Sequence, residues 1–91
     1  MAERYKMYDV AVKVISQKGH CGAGHKVGDE WVMGQNTPAG ICLSALYSIF
    51  PNAKVLRFGG GFPWRDDPAT TTVACPDANN PVVFELRRLQ K

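Results

Sequence analysis

The segment Tyr8-Asp9-Val10-Ala11-Val12-Lys13-Val14 decides the fold of this chain. Its apolar side chains recur at every second position, the period of a β-strand that buries one face. The same alternation at residues 82–87 predicts a second strand with a basic end. Residues 30–33 and the β-branched run at residues 70–75 predict two shorter strands, and a proline- and asparagine-rich turn cluster follows the latter. The chain is therefore expected to be rich in strands.

One helix is predicted between these strands. Thr37 and Pro38 are typical of a helix start, because a hydroxyl can cap the first turn and proline loses nothing at the first helical position. Side chains of core type then follow at helical spacing: Cys42, Leu46, Ile49 and Phe50. Pro51-Asn52 is predicted to end the helix, and residues 54–58 are predicted to form another strand. The expected fold is α+β: a small antiparallel, strongly curled, barrel-like sheet with one packed helix, in a single domain over residues 1–91.

Composition narrows the class of protein. A hydrophobic content of 45% in 91 residues is that of a globular domain and not of a disordered chain. The net charge of +3 is small, and the basic residues are scattered along the chain, so no nucleic-acid partner is expected. The sequence shows no secretory signal and no apolar run of membrane-spanning length, so we expect a cytoplasmic protein without a membrane partner.

The candidate chemistry lies in a glycine-rich segment, Gly19-His20-Cys21-Gly22-Ala23-Gly24-His25. It brings a thiol and two imidazoles into one turn. The chain contains three cysteines, an odd number that excludes a complete intramolecular disulfide framework. The other two, Cys42 and Cys75, stand beside helix and turn signals.

Four ordered motifs resemble those of an uncharacterised family of small, single-domain bacterial and archaeal proteins. They are Gly-x-Cys-x-x-Gly-His-Lys-x-Gly-Asp-x-Trp from Gly19, Thr-Pro-x-Gly-Ile-Cys from Thr37, Arg-Phe-Gly-Gly-x-Phe-Pro-Trp from Arg57, and Cys-Pro-Asp from Cys75 with the following Asn-Pro-Val-Val-Phe-Glu-Leu-Arg-Arg. The resemblance spans nearly the whole chain, and Leu43 departs from it where proline is expected. It implies a compact cytoplasmic protein and no particular activity, and it groups Cys21, His25, Cys42 and Cys75 as candidates.

The most specific hypothesis is a soft-metal site that binds zinc. Zinc prefers thiolate and imidazole ligands in tetrahedral sets, and glycines between Cys21 and His25 let both side chains fold towards one point. Cys42 and Cys75 complete the predicted ligand set from distant parts of the chain. A metal would also stabilise a domain this small.

A second hypothesis is a thiol-dependent enzyme. His20, His25 and Lys26 surround Cys21 in the sequence, and nearby cations favour the thiolate, which is the nucleophile. The glycine-rich backbone around Gly22 offers N–H groups for an oxyanion hole. The sequence contains no catalytic motif of known mechanism that assigns a reaction.

A third hypothesis is a non-catalytic ligand-binding or assembly module with buried cysteines. Phe58, Phe62 and Trp64 flank a triple glycine and suit a small-molecule pocket or an oligomer interface. Exposing these aromatic side chains would be costly, so we expect a homo-oligomer. The sequence does not identify a ligand or substrate, and it leaves the three hypotheses open.

Overall fold

Four antiparallel strands and one helix form the fold in the computed structural model, which describes residues 6–89. The elements in chain order are β1 (Val10–Gln17), β2 (Glu30–Met33), α1 (Leu43–Arg57), β3 (Thr70–Ala74) and β4 (Val82–Arg88). The α+β prediction is confirmed, and each of the four alternating or β-branched segments forms a strand.

The alternating segment near the N-terminus becomes a central strand of the sheet. The strand order is β2-β1-β4-β3, so β1 pairs with β2 on one side and with β4 on the other. Val12 lies opposite Trp31 in β2 and opposite Leu86 in β4. The register between β1 and β4 shifts by one residue between Val14 and Ser16, which is a β-bulge. Strands that are distant in the sequence thus become neighbours.

The sheet is open, and the barrel-like, strongly curled sheet is not supported. Within residues 6–89, β2 and β3 are the two edge strands and do not pair with each other. These edges are only four and five residues long. Closed barrels that fill their interior with side chains use about eight strands, twice the number present here.

One hydrophobic core joins the sheet to the helix. It consists of Val10, Val12, Val14, Met33, Ala45, Ile49, Ala53, Leu56, Phe62, Val82, Phe84 and Leu86. The strand members alternate along β1 and β4, and the helix members recur every three or four residues, as a buried face requires. Helix α1 packs mainly against β3 and β4, and less against β1. Helix α1 therefore covers the part of the sheet near β2 less than the part near β3 and β4.

The helix begins later than predicted. Cys42 is its N-cap, and the first helical residue is Leu43, six positions after Thr37. Gly40 has a φ of +92°, a left-handed conformation that a right-handed helix cannot include. The chain therefore turns between Thr37 and Cys42, and the start predicted at Thr37-Pro38 is wrong.

The helix also ends later than predicted. Pro51 lies inside α1, which continues to Arg57, so the helix end at Pro51-Asn52 and the strand at residues 54–58 were wrong predictions. A proline inside a helix removes a hydrogen bond at a cost of about 3 kcal/mol. Burial of Ala53 and Leu56, which extend the apolar face of Ala45 and Ile49, offsets this cost. In the described range, neither this helix nor any other is long and apolar enough to cross a membrane.

Candidate functional site

All three cysteines line one small cavity, called here the thiol cavity. Its volume is about 240 Å³, and its lining includes Cys21, Cys42, Cys75, Asp77 and Asn80. Cys21 belongs to the loop after β1, Cys42 precedes α1, and Cys75 follows β3. Each cysteine is a free thiol and is partly exposed. The fold thus gathers thiols that are far apart in the sequence.

Two loops are joined to form one wall of the thiol cavity. The N–H of Lys18 donates to the carbonyl of Pro81 at 3.0 Å, and the N–H of His20 donates to Oδ1 of Asn80 at 2.9 Å. Between them, Gly19 has a φ of +67°, and a Cβ at this position would collide with the Asn80 side chain. A glycine is therefore required where the loops meet. This junction brings the loops of Cys21 and Cys75 together.

Asp77 and Val82 shape the loop that carries Cys75. The Oδ1 atom of Asp77 accepts the N–H groups of Asn79 at 3.1 Å and of Asn80 at 3.2 Å. The Sγ atom of Cys75 accepts the N–H of Val82 at 3.3 Å. The backbone N–H of Cys75 donates to the carbonyl of Val82 at 3.0 Å, so side chain and backbone both hold the start of β4.

Cys42 caps the N-terminus of α1 with its sulfur. Its backbone is extended, with φ −68° and ψ 145°, and its Sγ accepts the N–H of Ala45 at 3.4 Å. Serine, threonine, aspartate and asparagine usually fill this position because an oxygen accepts the free N–H groups of the first turn. A thiol in their place lies at the positive end of the helix dipole.

His25 lies behind Cys42 and does not line the thiol cavity. Its Nε2 accepts the backbone N–H of Cys42 at 3.1 Å, which requires a neutral imidazole with its proton on Nδ1. Its side chain is buried, with 5% exposure, and it packs edge-on against Trp31 at 5.0 Å and Phe84 at 6.2 Å between ring centroids. Of the four predicted ligands, the three cysteines therefore line the thiol cavity, and His25 accepts a hydrogen bond from the backbone of Cys42.

The predicted ligands do not form a ready-made coordination shell. Among residues 6–89, no three side chains of histidine, cysteine, aspartate or glutamate are placed so as to hold a metal ion. The three thiols share a cavity, and binding one ion would require their side chains to rotate.

A second and larger cavity, called here the apolar cavity, lies between α1, β1 and the residues after β2. Its volume is about 400 Å³. Apolar side chains dominate the lining, and the two basic side chains Lys54 and Arg57 belong to the same wall. No local pattern predicts this cavity, and part of its wall is formed by Lys54 and Arg57 of α1, in a segment that was predicted as a strand.

The three aromatic residues proposed as a pocket or interface lie in different environments. Phe58 is the C-cap of α1 and lines the apolar cavity. Phe62 is a buried core residue, and Trp64, which is 75% exposed, packs against it with ring centroids 5.6 Å apart. Of the three, only Phe58 lines a described cavity.

Sequence reasoning missed the part played by Asn80 in the thiol cavity. Its position in a turn cluster was visible, but its bond to the N–H of His20 joins residues 60 positions apart. No local pattern signals a contact of that range.

Comparisons of this chain with protein-family models, curated proteins and solved structures gave no match. The resemblance of the four motifs to an uncharacterised family remains an expectation. The function is therefore argued from the site itself.

Proposed function

We propose that this protein binds a soft metal ion, with zinc as the best candidate, through the thiols of Cys21, Cys42 and Cys75. The observation that carries the proposal is that three separated cysteines line one cavity of about 240 Å³. Chance burial of free cysteines would not require all three to meet at one place. Zinc is bound in proteins by thiolates with Zn–S distances of about 2.3 Å, and three cysteines around one cavity are the right ligand type for such a site.

Backbone hydrogen bonds to the sulfurs support the proposal. The sulfur of Cys42 accepts the N–H of Ala45, and the sulfur of Cys75 accepts the N–H of Val82. Metal-bound thiolates carry negative charge, and N–H donors near them stabilise that charge. Two of the three proposed ligands already have such donors.

His25 has a positioning role in this proposal. Its Nε2 already accepts the N–H of Cys42, so coordination through that nitrogen would break a buried hydrogen bond. The proposed site accordingly has three thiolates and a fourth position open to water or another exogenous ligand. Three protein ligands with one open position are typical of zinc sites that act on a substrate.

Metal analysis tests the proposal directly. Full-length protein purified without chelator should contain close to one equivalent of zinc, and Co²⁺-substituted protein should show an intense ultraviolet sulfur-to-metal charge-transfer band. Serine at any of the three cysteine positions should weaken this band, whereas Ser44→Ala, which changes a cavity-lining side chain that is not a proposed ligand, should leave it intact. Less than about one tenth of an equivalent of any transition metal, with no tight uptake of added zinc, would overturn the proposal.

Thiol titration of the metal-free protein separates the remaining hypotheses. A thiol-dependent enzyme predicts one cysteine that reacts much faster than the other two. A non-catalytic module predicts three slowly reacting thiols. The metal proposal predicts that zinc protects all three cysteines together. We also propose a cytoplasmic location, because the proposed ligands are free thiols and thiols remain reduced there.

We also propose that the chain self-associates. Leu43 and Tyr47, one helical turn apart on α1, are 83% and 78% exposed, and Trp64 is exposed as well. Leu43 and Tyr47 lie on one face of the helix, and neighbouring exposed apolar side chains are typical of interaction surfaces. Sedimentation velocity should give a species larger than 10.0 kDa that Tyr47→Lys dissociates, and a concentration-independent monomer would contradict the proposal.

A further inference from the structure

The apolar cavity exists because helix α1 covers the sheet unevenly. The helix packs mainly against β3 and β4, which leaves space beside the β1–β2 pair. Val10 and Met33, which pair across these two strands, form the floor. Leu46 and Phe50 of α1 contribute the wall. The result is a cavity of about 400 Å³, within the range of roughly 300–1,000 Å³ that is typical of small-molecule sites.

Both charged side chains that line this cavity are basic, and the carboxylate of Asp9 lies beside one of them. The lining contains Lys54 and Arg57, one helical turn apart, and no aspartate or glutamate. Arg57 is already engaged, since its Nη1 lies 3.5 Å from Oδ1 of Asp9 and donates to the carbonyl of Tyr8 at 3.3 Å. Within the described part of the chain, the salt bridges involve Arg57 and Arg87, and Lys54 has no carboxylate within 4.0 Å. The ammonium group of Lys54 is thus available to pair with a ligand.

Two aromatic rings hold that cation at the cavity. The Nζ of Lys54 lies 5.7 Å from the ring centroid of Phe50 and 5.5 Å from that of Phe58. Both rings also line the cavity, so the ammonium group stands beside apolar surface. Cation–π contacts orient an ammonium group without neutralising its charge. The arrangement joins an apolar body to one oriented positive charge.

We propose that the apolar cavity binds a small amphipathic monocarboxylate, an alkyl or aryl acid whose apolar part fills the cavity and whose carboxylate pairs with Lys54. The inference does not depend on metal binding, because none of the residues lining this cavity also lines the thiol cavity. Lys54 is exposed, so an ion pair with it is of the modest strength of a surface pair, and the apolar tail should supply most of the affinity while the head group sets the preference among ligands.

Three ligands with one tail and different head groups test the proposal. Octanoate, 1-octanol and octylammonium are titrated into the protein, and calorimetry measures the affinity of each. The methyl NMR signals of Val10 and Met33 show whether each ligand binds in the apolar cavity. Octanoate should bind most tightly and octylammonium least, and all binding should shift these methyl signals. Lys54→Met should weaken the binding of octanoate about two- to fivefold, the effect of losing an exposed ion pair, and should leave the binding of 1-octanol unchanged.

Two further variants complete the test. Lys13→Met removes a lysine of β1 that does not line the cavity, and it should leave the affinity for octanoate intact. Thr37→Trp adds bulk at an exposed lining position and should block all ligands. Equal affinities for the three head groups, no octanoate binding at millimolar concentration, or no effect of Lys54→Met would each overturn the proposal. The proposal would also be overturned if the methyl signals shifted with protein concentration but not with octanoate concentration. A second copy of the chain would then fill the cavity.

Discussion

The backbone N–H of Cys42 donates a hydrogen bond to Nε2 of His25 at 3.1 Å. This bond ties the residue that caps α1 to the buried imidazole of the loop after β1, which packs against Trp31 and Phe84 of the sheet. It connects positions 17 residues apart, and it orients the backbone from which the Cys42 thiol reaches the thiol cavity. His25 therefore supports a proposed ligand and does not itself face the cavity.

Replacement of His25 should separate packing from hydrogen bonding. His25→Phe keeps a ring against Trp31 and Phe84 but leaves the N–H of Cys42 unpaired, which should lower the free energy of unfolding by about 1–3 kcal/mol. His25→Ala also removes the packed ring and should cost about 2–5 kcal/mol. Urea unfolding of the metal-free variants, monitored by circular dichroism, measures both losses of stability. A phenylalanine variant as stable as the parent would show that the hydrogen bond contributes nothing.

Cys42→Ser should remove a proposed metal ligand while keeping the helix cap. A serine oxygen accepts the N–H of Ala45 as well as sulfur does, so the metal-free variant should unfold within about 0.5 kcal/mol of the parent. Cys42→Ala loses the cap and should cost about 1 kcal/mol. Zinc should stabilise the parent by about 2.7 kcal/mol in thermal unfolding at a zinc concentration of 100 Kd, and both variants should lose this stabilisation. Full stabilisation of Cys42→Ser by zinc would exclude Cys42 as a ligand.

Gly19→Ala should disrupt the junction between the two loops of the thiol cavity. The substitution places a Cβ against Asn80 and forces alanine into a φ of +67°, so we expect a loss of about 1–3 kcal/mol and weaker metal binding. Gly22→Ala is the matched control in the same loop, since no atom lies within 4 Å of its added Cβ, and it should stay within about 0.5 kcal/mol of the parent. Thermal unfolding and zinc titration of both variants check the prediction. Equal behaviour of the two variants would contradict it.

Pro51→Ala should stabilise the protein. Alanine restores a backbone donor inside α1 and relieves the clash of the proline ring with the preceding turn, so the free energy of unfolding should rise by about 1–3 kcal/mol. Pro63→Ala, outside the helix, serves as the control and should give no comparable gain. A loss of stability in Pro51→Ala, measured by chemical unfolding, would show that the proline is needed where it stands.

The sequence alone located the four strands of the described residues, although it also predicted a strand at residues 54–58, most of which belong to α1. Alternation over residues 8–14 and 82–87 is a local property of the chain, and a half-buried strand is the structure that satisfies it. β2 was predicted with its observed bounds, Glu30–Met33. The helix was predicted only in part, because proline is a strong local stop signal. Burial of Ala53 and Leu56 against the sheet outweighs that signal and is invisible in a short window of sequence.

Only the tertiary structure decided how the chemically active residues meet. The sequence nominated Cys21, His25, Cys42 and Cys75, but their grouping depends on the pairing of β1 with β4 and of β4 with β3. That pairing brings the loops after β1 and β3 to one end of the sheet, beside the start of α1. Contacts between residues tens of positions apart are fixed by the packing of the whole core, which no local pattern encodes. The sequence thus identified the thiols, and the fold placed three of them around one cavity with His25 behind Cys42.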